Sequence, residues 1–129
     1  MQITKRIPKW QNPNKKILYA GVHLVADFWF GKIVEDPVQL KKILLESARK
    51  SQSTSLKFSF YKFSPQGITG VLLLAESHIA LHSWPEINYL SVDIFTCGKN
   101  SKPHLALEHL KKVFQPKRVK IQELKRGNL

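Results

Sequence analysis

Apolar and polar positions fall into two different periods along the chain, and the changes between them divide it into elements. Residues 1–16 are polar, with Pro8 and Pro13, and predict a basic arm outside the core. From Ile17 to Phe30 an apolar, aromatic and β-branched run predicts a strand. Asp36-Pro37 is a helix start, Asp as N-cap and Pro in the first turn. Leu40, Ile43, Leu44 and Ala48 then recur at helical spacing, with Lys41, Lys42, Arg49 and Lys50 elsewhere, as in an amphipathic helix lying on a sheet. Thr54 to Phe63 alternates, Leu56, Phe58 and Phe60 against Lys57 and Ser59, and predicts a half-buried strand. The stretch from Gly67 to Gly70 turns the chain into an apolar strand over Val71–Ala75. His78–Trp84 and Tyr89–Phe95 are two more strands, split by Pro85-Glu86-Ile87-Asn88. A second helix opens near Ser101-Lys102-Pro103 and presents Ala106, Leu110, Val113 and Phe114 to the core, and Arg118–Leu124 closes the chain as a strand.

The order β-α-β-β-β-β-α-β, with short links between the central strands, predicts an α+β fold. It is a two-layer α/β sandwich: a mainly antiparallel sheet with two helices on one face. A length of 129 residues suits one domain, placed at 17–127. The other sheet face would be a large bare apolar patch, so dimerisation through the sheets is expected. No run of about 18 apolar residues is present to span a membrane, and the opening Met1–Arg6 leads into polar residues rather than a secretory h-region. A lone Cys97 excludes an internal disulfide and fits a reducing, cytoplasmic setting.

Charge adds a second layer. The net charge is +12, with the bases crowded at the two ends. From Ser64 to Thr96 there is no Lys or Arg, only Glu76, Glu86 and Asp93. A chain basic outside and acidic inside suits a central site for a cationic small molecule. A generally basic surface with no ligand accounts for the charge equally well. Nucleic acid is a poorer partner, because the basic ends lack the interleaved aromatics that stack bases.

The segment Ala75-Glu-Ser-His-Ile-Ala-Leu-His-Ser-Trp-Pro-Glu86 is chemically dense for a stretch that otherwise reads as core strands. It holds no Gly-x-Ser-x-Gly elbow, His-Glu-x-x-His or phosphate loop. What remains is a Ser, a Cys, two nearby His and two carboxylates in no standard arrangement. Strand parity puts His78, His82 and Trp84 on one face and Ser77 on the other. If Ser77 and His82 serve one site, the Glu76-Ser77 peptide must sit in a turn or distortion, where backbone rearrangement is easiest.

The run Gly70–Ala75 with Glu76-Ser-His-Ile, then His82-Ser-Trp-Pro-Glu86 and Val92-Asp-Ile-Phe-Thr-Cys-Gly98, resembles the short prokaryotic S-adenosylmethionine decarboxylases. Gly21-Val-His-Leu24 with Ala26-Asp27, Phe60-Tyr-Lys-Phe-Ser-Pro65 and Lys125-Arg-Gly127 extend the resemblance over roughly 18–127. It implies a proenzyme that cuts itself between Glu76 and Ser77 into chains 1–76 and 77–129. Ser77 would attack the Glu76 carbonyl, and elimination and hydrolysis would leave a pyruvoyl group at 77 with loss of ammonia. That group would take the substrate amine as a Schiff base, with no pyridoxal phosphate and no metal. By the same resemblance His82 serves processing and Cys97 returns a proton to the substrate. Phe63 and Trp84 stack near adenine, Glu86 holds the ribose, and the sites lie between subunits of a homodimer of cleaved protomers. Spermidine biosynthesis would be the destination of the product.

Without the resemblance, His82 reads as a hydrogen-bonded strand histidine, Cys97 as a small core hydrophobe and Phe63 and Trp84 as ordinary aromatics. Thr69 stands where the family often has Ser, keeping the processing hydroxyl but adding a methyl. Gln66, Tyr61, Asn88 and Leu90 are further departures, and they leave room for altered substrate choice. The rival enzyme is a pyruvoyl-dependent decarboxylase of a basic amino acid such as arginine or ornithine. Retention of Phe63, Trp84 and Glu86 counts against it.

Overall fold

The computed structural model describes residues 19–98 and 100–128, so the arm expected over 1–16 lies outside the described residues. Strands β1 (Gly21–Trp29), β2 (Ser55–Lys62), β3 (Ile68–Leu74), β4 (Ser77–Trp84), β5 (Tyr89–Thr96) and β6 (Arg118–Arg126) form one sheet, with helices α1 (Pro37–Lys50) and α2 (Pro103–Phe114). The strand order is β2-β3-β4-β5-β1-β6, and each neighbouring pair is antiparallel. No helix among the described residues is long and apolar enough to cross a membrane.

The helices start and stop as their residues dictate. Asp36 caps α1 by accepting a hydrogen bond from the Val38 N–H at 3.3 Å, and Arg49 and Lys50 sit in the last turn, where cations suit the helix dipole. Leu40, Ile43, Leu44 and Ala48 are all buried, and so are Ala106, Leu110 and Phe114 of α2. They meet the inward residues of the central strands, among them Leu24, Phe28, Leu72, Ile79, Leu81, Val92 and Ile94. Gly70 permits the close approach of α1, since a Cβ there would lie 2.6 Å from Leu40 Cδ2.

Strand β2 corrects the half-buried reading. Only Phe58 is partly covered and the other seven residues are exposed. The alternation itself is real, with Phe58 and Phe60 pairing with Leu72 and Gly70 on the helix side. But β2 is an edge strand with one neighbour, and its register shifts between Ser55 and Lys57. Periodicity reports which face a residue takes and not how far the helix layer extends over it.

The face opposite the helices is the one that positions chemistry. Register lines up Tyr61, Thr69, His82, Ser91, Asp27 and Lys120 in one row across all six strands. Two rows away lie Lys57, Leu73, His78, Phe95, His23 and Leu124.

Candidate active site

Ala75 and Glu76 form the tight turn between β3 and β4, the site expected for a distorted peptide. Ser77, the first residue of β4, has φ of 149°, a backbone region that non-glycine residues rarely adopt. The Glu76 carboxylate pins the turn by accepting hydrogen bonds from Thr54 N (2.8 Å) and Thr54 Oγ1 (3.3 Å). Its main-chain carbonyl oxygen accepts two more, from Cys97 N at 3.0 Å and from Cys97 Sγ at 3.1 Å. Burial, and then the Glu76 carboxylate, push the Cys97 thiol pKa up, so at neutral pH the sulfur carries the proton it donates. The Ser77 hydroxyl lies 3.2 Å from His78 Nδ1. Across the β4–β5 ladder from Ser77, Thr96 is buried and its hydroxyl has no hydrogen-bond partner among the described residues.

At the other end of the same strands sits a second group. Thr69 Oγ1 and His82 Nδ1 are 2.8 Å apart on directly paired positions of β3 and β4. The His82 ring lies 5.9 Å from Trp84, and Trp84 stacks on Tyr89 at 5.3 Å. Tyr89 donates to Asp27, and burial together with that carboxylate pushes the Tyr89 pKa up to about 12. Phe63 rests against Tyr61 at 4.9 Å and bonds through its N–H to Gly67 O. Glu86 lies in the short 3₁₀ turn Pro85–Ile87, where Gln66 Nε2 donates to its carboxylate at 3.1 Å. Phe63 and Trp84 are 49% and 41% exposed, large aromatic surface beside a carboxylate and open to a ligand.

The fold therefore brings Ser77, Glu76 and Cys97 together, and separately Thr69, His82, Trp84, Phe63 and Glu86. It does not bring the two groups together within one chain. Ser77 and His82 are five positions apart on one strand, about 17 Å at the usual rise. The turn at Ala75-Glu76 is a hairpin and leaves that separation intact.

Sequence reasoning missed Thr54, which holds the Glu76 carboxylate, and the orphan hydroxyl of Thr96. It also missed the ring cluster beside Ser77. His23 stacks on Phe95 at 5.2 Å and is edge-on to His78 at 6.3 Å. His23 Nε2 lies 3.2 Å from Asp93 Oδ1. The signal for that cluster was present as parity on neighbouring strands, but pairing β1 next to β5 was not readable from local pattern.

A profile of the S-adenosylmethionine decarboxylase family matches residues 22–127. A relative from Methanococcus maripaludis, named S-adenosylmethionine decarboxylase proenzyme, is 35% identical over 109 residues, 83% of this chain and 89% of its own. One of the same name from Thermotoga petrophila is 43% identical over 109 residues, covering 83% and 84%. The solved adenosylmethionine decarboxylase of Aquifex aeolicus superposes with a TM-score of 0.78 at 33% identity, over 84% of this chain and 92% of its own. With the family matched along the β1-to-β6 domain and the fold shared with a solved member, this chain belongs to the S-adenosylmethionine decarboxylase enzyme family.

Proposed function

We propose that this chain is a proenzyme that cleaves itself between Glu76 and Ser77 and then decarboxylates S-adenosylmethionine through a pyruvoyl group made from Ser77. The observation that carries this reading is the state of the Glu76–Ser77 peptide. A hydroxyl nucleophile follows the carbonyl it would attack, the backbone at Ser77 is strained, and two donors from Cys97 converge on the carbonyl oxygen. Such donors favour the oxyanion that forms as the amide becomes an ester. The Thr96 hydroxyl opposite Ser77, without a partner among the described residues, also fits, because a carbonyl left at position 77 gives it an acceptor.

A pyruvoyl group at 77 supplies an electrophilic carbonyl that holds the substrate amine and takes up electrons as carbon dioxide leaves. The chain's own residues do the rest. Cys97, kept as a thiol, returns a proton to the substrate α-carbon. Phe63 and Trp84 offer faces to adenine and to the sulfonium charge, and Glu86 accepts from the ribose hydroxyls. His82, oriented by Thr69, assists the elimination that splits the chain.

Because the two groups lie about 17 Å apart on one strand, each site takes Ser77 and Cys97 from one protomer and Thr69, His82, Phe63, Trp84 and Glu86 from another. A two-fold dimer stacked through the open sheet faces, with strands running in opposite directions, lays one strand end over the other. The product would feed aminopropyl transfer toward spermidine in the cytoplasm.

The test is the denatured mass of freshly purified protein. Two chains are expected, split after Glu76, the second lighter than its plain sequence by one ammonia. Carbon dioxide release from labelled S-adenosylmethionine then checks the substrate. A single chain of 14.9 kDa that stays intact on long incubation overturns the reading.

A further inference from the structure

Self-cleavage needs something to remove the Ser77 hydroxyl proton; the His82 of the same chain is five residues away on the strand, and the His82 that the proposed dimer brings to the site is assigned to the later elimination. The side chain that touches the hydroxyl is His78, whose Nδ1 lies 3.2 Å from Ser77 Oγ. We infer that His78 is the catalytic base of the first step of self-cleavage, the shift of the Glu76 acyl group from nitrogen to oxygen. This rests on the cleavage reading above and adds a residue and a division of labour to it.

In that step the Ser77 Oγ–H proton passes to His78 Nδ1 as the oxygen bonds to the Glu76 carbonyl carbon. The resulting oxyanion keeps its two hydrogen bonds from Cys97 N and Sγ. The C–N bond then breaks, the imidazolium returns its proton to the departing Ser77 amine, and the product is an ester. No other reactant is consumed. The strained φ of Ser77 is relieved as the peptide bond opens.

Two features prepare His78 for this. It must be neutral, with hydrogen on Nε2, to accept at Nδ1. Burial and then the neighbouring His23 lower its pKa, while Asp93 pulls the other way, so the ring is unprotonated at neutral pH. The ring is also held in place. Phe95 meets it edge-on at 6.0 Å and His23 at 6.3 Å, and His23 is itself held between Asp93 and Arg126, accepting from Arg126 Nη1 at 3.2 Å. The charged and titratable groups around it are His23 on β1, Lys57 on β2, Asp93 on β5, Arg126 on β6 and Glu76 in the turn.

The experiment follows chain splitting over time in the full chain, carrying His78→Asn or His78→Ala. Asn keeps an acceptor near the Nδ1 position without a basic nitrogen. Both variants are expected to split about 100-fold more slowly than wild type. Added imidazole should partly restore His78→Ala, and the wild-type rate should fall as pH drops through the lowered His78 pKa, a limb the variants lack. Blocking the later step with His82→Ala should accumulate an ester that hydroxylamine cuts after Glu76, and adding His78→Asn should abolish that accumulation. Splitting of His78→Asn at the wild-type rate overturns the inference while leaving the cleavage reading intact. Failure of the wild-type chain to split defeats the cleavage reading itself.

Discussion

At the scale of single residues, two positions have environments that set testable chemistry. Cys97 holds the Glu76 carbonyl with both its main-chain N–H and its thiol. Replacing it with Ala removes one of the two donors, and chain splitting is expected to slow by about 100-fold, the usual loss for one oxyanion donor. Ser in its place keeps a donor and should split faster than Ala, as read by gel densitometry over time. Tyr89 gives a prediction in pH. Its pKa is raised from 10.0 to about 12, by burial first and then by its bond to Asp27. A phenol with a raised folded-state pKa favours the folded state fully below its unfolded pKa. That contribution is lost as pH rises through the folded value. Urea midpoints of the wild-type protein should therefore fall between pH 10 and about 12, and those of Tyr89→Phe should fall less over the same window. Chemistry of this kind was only half legible in the sequence. Ser77 and Cys97 came from resemblance, while the Thr54 and Thr96 contacts depend on cross-strand register that no local pattern encodes.

At the scale of elements, the helices were readable because each carries its own evidence. Asp36-Pro37 marks a start, and burial at Leu40, Ile43, Leu44 and Ala48 repeats the spacing that predicted it. Strand β2 was readable in type and not in burial, because cover depends on where α1 and α2 end up on the sheet. The junction of α1 with the sheet gives the element-level prediction. Gly70 lies against Leu40, and a Cβ there would sit 2.6 Å from Leu40 Cδ2. Leu40 is 1% exposed and has little room to yield, so Gly70→Ala should push α1 off β3 and cost about 1–3 kcal/mol. The check is the urea midpoint at unchanged slope. Trimming Leu40 to Val in the same chain should recover part of the loss, which a general β-strand effect of Ala would not produce.

At the scale of the whole molecule, the separation between the two residue groups is what the proposed assembly has to answer. One sheet presents Ser77 and Cys97 at one strand end and Thr69 with His82 at the other, about 17 Å apart. Relaxation of β4 cannot close that gap without breaking its ladders to both β3 and β5. Sites built between protomers reconcile the fold with the proposed chemistry, and they make a prediction that no single-chain site shares. A Ser77→Ala chain lacks the nucleophile but still offers His82, and a His82→Ala chain has the nucleophile but offers no processing histidine. Each alone should stay unsplit. In the proposed dimer, co-expression with distinguishable tags gives mixed pairs in which one of the two sites has a complete set. The His82→Ala chain should then split in those dimers, and the Ser77→Ala chain should not. Splitting confined to the chain without its own His82 is the signature of a site completed by the partner. Absence of splitting in purified mixed dimers would mean that each site is completed within its own chain, by a rearrangement that moves His82 to Ser77.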